Sequence, residues 1–343
     1  MTTVLGNVVS EADYWRLTSH GKTASSEQIP FKEWQHFVVF GPDWSLVFNL
    51  NLDATESDPG GSAKSRAITL FSRHSWHGEV VQCSRPVLRR GTIDAQFDRA
   101  GMCWKNGGYH IWQTDGEINL RVQLQPAAVP SLTHNIPLGG GSYLSWCLIA
   151  RLHASGFVEV AGEKFEFSQV AAYHDHNWGR FHWGGDFSWE WGCALPTEPA
   201  EPWTLVFARM NSKDRNAIMA SSVFLLERGK HLRYFRNAEV EFRTSPEKRR
   251  EIDGRVPPGA ALLLPDEDLD VPARTNIEAR RDDDWLRADL SANGRGQVLV
   301  PSEVDYCKVV RLNEATADTK VLGRCAGREV NFEGPGLLEV VCV

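Results

Sequence analysis

The chain has 343 residues, of which 42% are hydrophobic and 24% charged, with a formal net charge of −7. That is the composition of an ordinary water-soluble globular protein. The acidic balance argues against nucleic acid or an anionic membrane surface as partner, since both favour a basic face.

Residues 1–20 carry Glu11 and Asp13 and no sustained apolar core, so neither a secretory signal nor a membrane anchor is expected. No run approaches the roughly 18 apolar residues of a spanning helix. The seven cysteines are odd in number and scattered, without a Cys-x-x-Cys pair. This pattern predicts reduced thiols and a cytoplasmic protein, with neither a disulfide framework nor a zinc site.

In chain order, the first 34 residues are polar and weakly patterned, with a short helix expected over 11–19. From Gln35 the signal is β. Segments 37–40 and 46–50 flank Gly41-Pro42-Asp43 and predict a hairpin. Short strands are expected at 67–71, 79–83, 92–97, 109–113 and 118–125. Asn106-Gly107-Gly108 and Asp115-Gly116 supply tight turns, because glycine reaches positive φ at little cost. A loop rich in Pro and Gly is expected over 126–141. Strands follow at 143–152, 157–160 and 164–167, the last two joined by a turn at Ala161-Gly162. Residues 195–202 are proline-rich and read as a hairpin loop between strands 189–195 and 203–210. Further strands are expected at 217–227, 232–235, 238–242, 260–264, 275–279, 285–290, 304–312, 319–322, 329–332 and 337–342. Roughly twenty short strands without a βαβ alternation predict an all-β protein of sandwich or barrel architecture. That number exceeds one small barrel, so two β-domains are expected.

The densest chemistry lies in residues 173–191, Tyr-His-Asp-His-Asn-Trp-Gly-Arg-Phe-His-Trp-Gly-Gly-Asp-Phe-Ser-Trp-Glu-Trp. Aromatic walls around a few convergent polar groups suit a site for an apolar small molecule. Strand alternation puts Tyr173, Asp175 and Asn177 on one face and His174, His176 and Trp178 on the other. A carboxyl group such as Asp175 in a tryptophan-lined cavity can serve as a general acid, and tryptophan faces can stabilise the cation that results. The rival reading of Asp175 is a structural residue bonded to backbone amides.

His174 and His176 also admit a cupin-like metal site, with His182 and His110 as further ligands. The carboxylate such a site needs is missing, because Arg180 and Phe181 stand in its place. Asp186 and Glu190 on an extended strand would lie about 13 Å apart, too far for a glycosidase pair. No nucleophile elbow, phosphate loop or dinucleotide fingerprint occurs, and Gly139-Gly140-Gly141 reads as a flexible turn. The basic run Lys248-Arg249-Arg250 reads as a solvated loop.

The segment Tyr173-x-Asp175-His176-x-x-Gly179 resembles the signature of the hydroxyneurosporene synthase family, which includes carotenoid 1,2-hydratase, kievitone hydratase and lipocalin-like Diels–Alderases. The strand 189–195 and the C-terminal Gly334-Pro335-Gly336-Leu337-Leu338-Glu339 are similar to family features. The resemblance implies two tandem lipocalin-like β-barrels, over residues 1–184 and 185–343, and no cofactor. It also implies apolar substrates: isoprenoids, prenylated phenolics or polyenes. Tyr173 and Asp175 fall at the family's acid–base positions. Leu144-Ser145-Trp146 matches an upstream family strand, keeping Trp146 and lacking its histidine. The expected site is then Tyr173 and Asp175 as catalytic residues, with Trp146, His176, Trp178, Trp189 and Trp191 binding substrate and no metal. The expected partner is a hydrophobic small molecule. Three readings stand at this point: a hydratase or cyclase working by proton transfer, with a shape-driven Diels–Alderase as its variant; a non-catalytic binding protein for a hydrophobic ligand; and a cupin-like metalloenzyme.

Overall fold

A computed structural model of the chain describes residues 2–16, 29–54, 64–83, 86–89, 91–185, 187–198, 200–245, 253–257, 272–305 and 307–342. The strand expected at 260–264, the run at 248–250 and Asp186 lie outside the described residues. Two compact units form, one from Met1–Phe71 with His77–His182, the other from Ser72–Trp76 with Trp183–Val343.

The first unit opens with helix α1 (Thr2–Ala12). Its early strands are β1 (Phe31–Phe40), β2 (Ser45–Ala54), β3 (Lys64–Ser72) and β4 (Trp76–Cys83). Short strands β5 (Val87–Leu88), β6 (Ala95–Phe97), β7 (Ala100–Lys105) and β8 (Gly108–Gln113) follow. Then come β9 (Ile118–Pro126), β10 (Ser131–Gly139), β11 (Ser142–Val160) and β12 (Glu163–Arg180). The sheet order is β4-β3-β2-β1-β12-β11-β9-β8-β7-β6-β5, with β10 added on β11. The hairpin predicted around Gly41-Pro42-Asp43 is present as β1 and β2. Asn106 and Gly107 (φ 54° and 75°) turn β7 into β8, and Ala161 and Gly162 (φ 52° and 83°) turn β11 into β12.

Three expectations for this unit need correction, and in the second unit the four strands expected over 304–312, 319–322, 329–332 and 337–342 are two, Val309–Cys325 and Arg328–Cys342. The N-terminal helix ends at Ala12, so residues 13–16 are not helical. Leu5 and Val9, one turn apart, pack on the core, which draws the apolar face of the helix earlier than expected. The stretch 126–141 is not all loop: β10 pairs with β11, and its register breaks on either side of Ile136-Pro137. Proline is tolerated there because an edge strand can spare a backbone donor. The separate strands expected between 143 and 167 are two long strands, continued through irregularities at Ile149/Leu152 and Ala154/Gly156.

The second unit contains β13 (Phe187–Ala194), β14 (Trp203–Ser212), β15 (Ile218–Glu227), β16 (Lys230–Arg236) and β17 (Val240–Thr244). It continues with β18 (Gly254–Val256), β19 (Arg274–Arg281), β20 (Asp284–Pro301), β21 (Val309–Cys325) and β22 (Arg328–Cys342). The order is β16-β15-β14-β13-β22-β21-β20-β19-β17, and among the described residues only the short β18 pairs in parallel, with β20. The proline-rich loop joins β13 and β14 as an antiparallel hairpin, as its sequence predicts. Each unit is thus a curled antiparallel sheet around its own apolar core.

Candidate functional site

Strand register fixes which side chains share a face. On β1, Phe37 and Val39 point into the first core together with Phe48, Leu50 and Leu52 of β2 and Cys147 and Ile149 of β11. Directly opposed residues of antiparallel strands share a face. Trp34, His36 and Val38 of β1 therefore lie on the other side of the sheet, opposite Asn177, Asp175 and Tyr173 of β12. Trp146 and Leu148 of β11 join them, opposite Asn177 and Asp175. Asn51, Asn49 and Val47 of β2 extend the same rows beyond β1.

On this face, away from the core, the hydroxyl of Tyr173 donates to Asp175 Oδ2 at 3.0 Å. The side-chain amide of Asn177 donates to Asp175 Oδ1 at 2.6 Å. All three residues are buried. His36 stands directly across from Asp175. Burial, together with the charge of His174 behind it, pushes the His36 pKa down to about 3. Its imidazole is therefore neutral at physiological pH, and its Nδ1 lies 3.2 Å from Asn49 Nδ2.

The core-facing side of β12 carries a different network. Asp13, on the segment after α1, is fully buried and accepts from Tyr109 Oη at 2.5 Å. Its carboxylate also takes His174 Nε2 at 2.9 Å and His176 Nδ1 at 2.6 Å. His174 Nδ1 donates to the His36 carbonyl at 2.9 Å, and His176 Nε2 to Glu33 Oε1 at 2.8 Å. Burial alone would raise the Asp13 pKa, but the charges of His174 and His176 and their hydrogen bonds hold it well below the carboxylate range. For His176 burial disfavours the charged ring, yet Asp13 and Glu33 outweigh it and set the pKa at about 9. Trp178 closes this interior group, with the Arg16 guanidinium 4.7 Å from its ring centre.

The predicted residues thus divide. Tyr173, Asp175 and Trp146 share the face opposite the core, as alternation requires. His176 and Trp178 lie on the core face, in contact with Asp13, Glu33 and Arg16 instead of Asp175. Trp189 and Trp191 belong to the second unit, on the side of β13 that faces away from that unit's core. There the Trp189 indole donates to Glu339 Oε1 at 2.5 Å, while Trp191 and Glu314 stand directly opposite Glu339 on the flanking strands. Burial raises the Glu339 pKa against the opposing hydrogen bonds from Glu314 and Trp189. Glu190 is ion-paired to Arg209 and Arg215.

Both ring nitrogens of His174 and of His176 are engaged in hydrogen bonds. Among the described residues no group of three or more His, Cys, Asp or Glu side chains is arranged to hold a metal ion, and no helix is long and apolar enough to cross a membrane. A surface groove of about 640 Å³, lined by His110, Trp112, Arg121 and Gln123, includes none of the predicted catalytic or substrate-binding residues. Sequence reasoning missed Asp13, Glu33, His36 and the Asn49–Asn51 pair. The alternation in Phe48-Asn49-Leu50-Asn51-Leu52 is the one local signal that marks a polar face there.

This architecture is the two-unit lipocalin-like fold. Its solved neighbours include an AttH-like protein from Nitrosomonas europaea, 15% identical with a TM-score of 0.62, the match covering 93% of this chain and 97% of that one. Kievitone hydratase from Nectria haematococca is 11% identical with a TM-score of 0.58, over 91% and 88% of the two chains. CghA is 14% identical with a TM-score of 0.60, over 94% of each chain, and a structure of it with Sch210972 is also similar. No family model matches the sequence, and no curated protein matches it.

Proposed function

We propose that the chain is an enzyme of lyase or isomerase type, a hydratase or cyclase, that transfers a proton to an apolar small molecule from the face built by Tyr173, Asp175 and Asn177. The observation that carries this reading is the hydrogen-bonded Tyr173–Asp175–Asn177 group, buried on the side of the sheet away from the core. A protonated Asp175 gives its proton to an alkene or carbonyl of the substrate. The carboxylate left behind then accepts from the Tyr173 hydroxyl and the Asn177 amide, the two donors already aimed at its two oxygens. Hydrogen bonds to the charged form favour it, so the pair draws the proton transfer forward. The indole of Trp146, opposite Asn177, offers a π face to the cation.

Capture of that cation by water gives a hydratase, with Asp175 taking the surplus proton back. Capture by a group within the substrate gives a cyclase. The fold supports the reading by analogy alone: kievitone hydratase shares it, and CghA has been solved with the small molecule Sch210972.

The test is turnover of a panel of prenylated phenolics and polyenes by the purified protein and by Asp175→Asn. Loss of a general acid typically costs about 10² to 10⁴-fold, and a loss in that range is expected with the fold retained. Full turnover by Asp175→Asn would move the reading to shape-driven cyclisation. Stoichiometric binding without turnover would make the chain a binding protein.

A further inference from the structure

The face that carries Asp175 is not uniformly apolar. Across three strands, Asn49, His36 and Asp175 stand in one row. Asn51, Trp34, Asn177 and Trp146 form the next, across four. Two side-chain amide atoms in these rows, Asn49 Oδ1 and Asn51 Nδ2, are buried and lack a hydrogen-bond partner in the structure. One is an acceptor and the other a donor. Buried amide groups are nearly always paired, so each exception calls for an explanation. The core side of β2 shows what the chain uses where nothing polar is needed, namely Phe48, Leu50 and Leu52.

The charges nearby do not call for an ionic ligand. His36 is neutral, and Lys32, on the same face one step beyond Trp34, has its counter-charge in Asp53 at 3.5 Å. What the two amides present is therefore an uncharged donor and an uncharged acceptor beside a proton-transfer group.

We propose that Asn49 and Asn51 form a subsite for an uncharged oxygen function, a hydroxyl or a carbonyl, carried on the otherwise apolar substrate. This rests on the reading of the Asp175 face as the active site and narrows its substrate class: pure hydrocarbons are excluded in favour of oxygenated isoprenoids, phenolics or polyketides. A hydroxyl serves both amides at once, donating to Asn49 Oδ1 and accepting from Asn51 Nδ2. An ether or ketone serves Asn51 alone. A hydrocarbon leaves both amides desolvated, and sites built to hydrogen-bond a substrate group discriminate strongly against analogues that lack it.

A matched series tests this by binding, measured as quenching of tryptophan fluorescence: 4-geranylphenol, its methyl ether, and geranylbenzene. Simple apolar partitioning ranks the hydrocarbon tightest. The subsite predicts the reverse order, phenol then ether then hydrocarbon, with about tenfold or more between the ends. In the double variant Asn49→Leu with Asn51→Leu the order is expected to collapse toward partitioning. Equal or tighter binding of geranylbenzene by the unaltered protein would overturn the proposal. So would failure to bind any of the three, or a phenol preference that survives in the double variant. If that variant does not fold, the ranking on the unaltered protein decides alone. Asp175→Asn is expected to keep the ranking, so loss of the ranking and retention of turnover in Asp175→Asn are separate results that refute separate statements.

Discussion

Replacing Asp13 by Asn keeps the shape of the side chain and removes its charge. In the native protein that charge sits fully buried among His174, His176 and Tyr109. His176 keeps its pKa near 9 against a reference value of 6.5, a difference that converts to up to about 3 kcal/mol at ~1.36 kcal/mol per unit. Breaking a buried pair from one side typically costs about 3–5 kcal/mol, because the remaining charge is stranded. The two routes agree in order of magnitude. Against a usual net stability of about 5–15 kcal/mol, such a loss is large, and it lowers the melting temperature by roughly 10 °C in a domain of this size. Urea unfolding followed by tryptophan fluorescence measures it, with near-ultraviolet circular dichroism confirming a folded starting state. The gap between Asp13→Asn and the unaltered protein should narrow as pH climbs from about 6.5 through 9, where the native imidazolium loses its proton. A change below about 0.5 kcal/mol at pH 7, or a gap that widens at alkaline pH, would refute the electrostatic account.

Stability should be greatest near pH 6.5. The raised pKa of His176 gives stability that is full below about 6.5 and fades as pH climbs through 9. The depressed pKa of His36 gives stability that is full above about 6.5 and fades toward pH 3, a bell that thermal melts across pH would trace. Gly179→Ala should destabilise the first unit by about 1–3 kcal/mol, since its Cβ would meet the Tyr143 carbonyl oxygen at 2.1 Å; chemical unfolding checks this. Trp189→Phe removes the indole donor from Glu339 and should raise the Glu339 pKa further, which side-chain carboxyl NMR can follow. Dialysis against a strong chelator should leave turnover unchanged, measured alongside metal content, because His174 and His176 have both ring nitrogens in hydrogen bonds.

Local patterning carried the strands well where one face is apolar and the turns use glycine or asparagine at positive φ. The alternation in residues 173–178 correctly separated Asp175 from its two flanking histidines, because a period of two is a property of the backbone alone. The same logic could not supply partners. Asp13 lies 161 residues from His174 and 163 from His176, and nothing in its own neighbourhood distinguishes it from a solvated N-terminal carboxylate. His36 fits a β pattern equally well on either face until the register of β1 against β12 is known. Strand β10 was illegible for another reason: an exposed edge strand with Pro137 and few buried side chains has the composition of a loop. The long β11 and β12 looked like several strands because bulges interrupt the alternation without ending the pairing.

The hydrogen bonds that run from Asp13 to Tyr109, His174 and His176 also set an order of events for a chain emerging from the ribosome. Their sequence separations are 96, 161 and 163 residues. Until β12 has been synthesised, Asp13 has no imidazole to meet, and β1 lacks the neighbour that completes its pairing. Contacts of such long range close slowly, and domains tend to fold as units during synthesis. The first unit is therefore expected to stay open, with a sheet edge exposed, until about half of the chain has been translated, and to finish in one late step that also sets Asp175 opposite His36. A ribosome-stalled series should show protease resistance in the first unit appearing only once residues beyond Arg180 have left the exit tunnel.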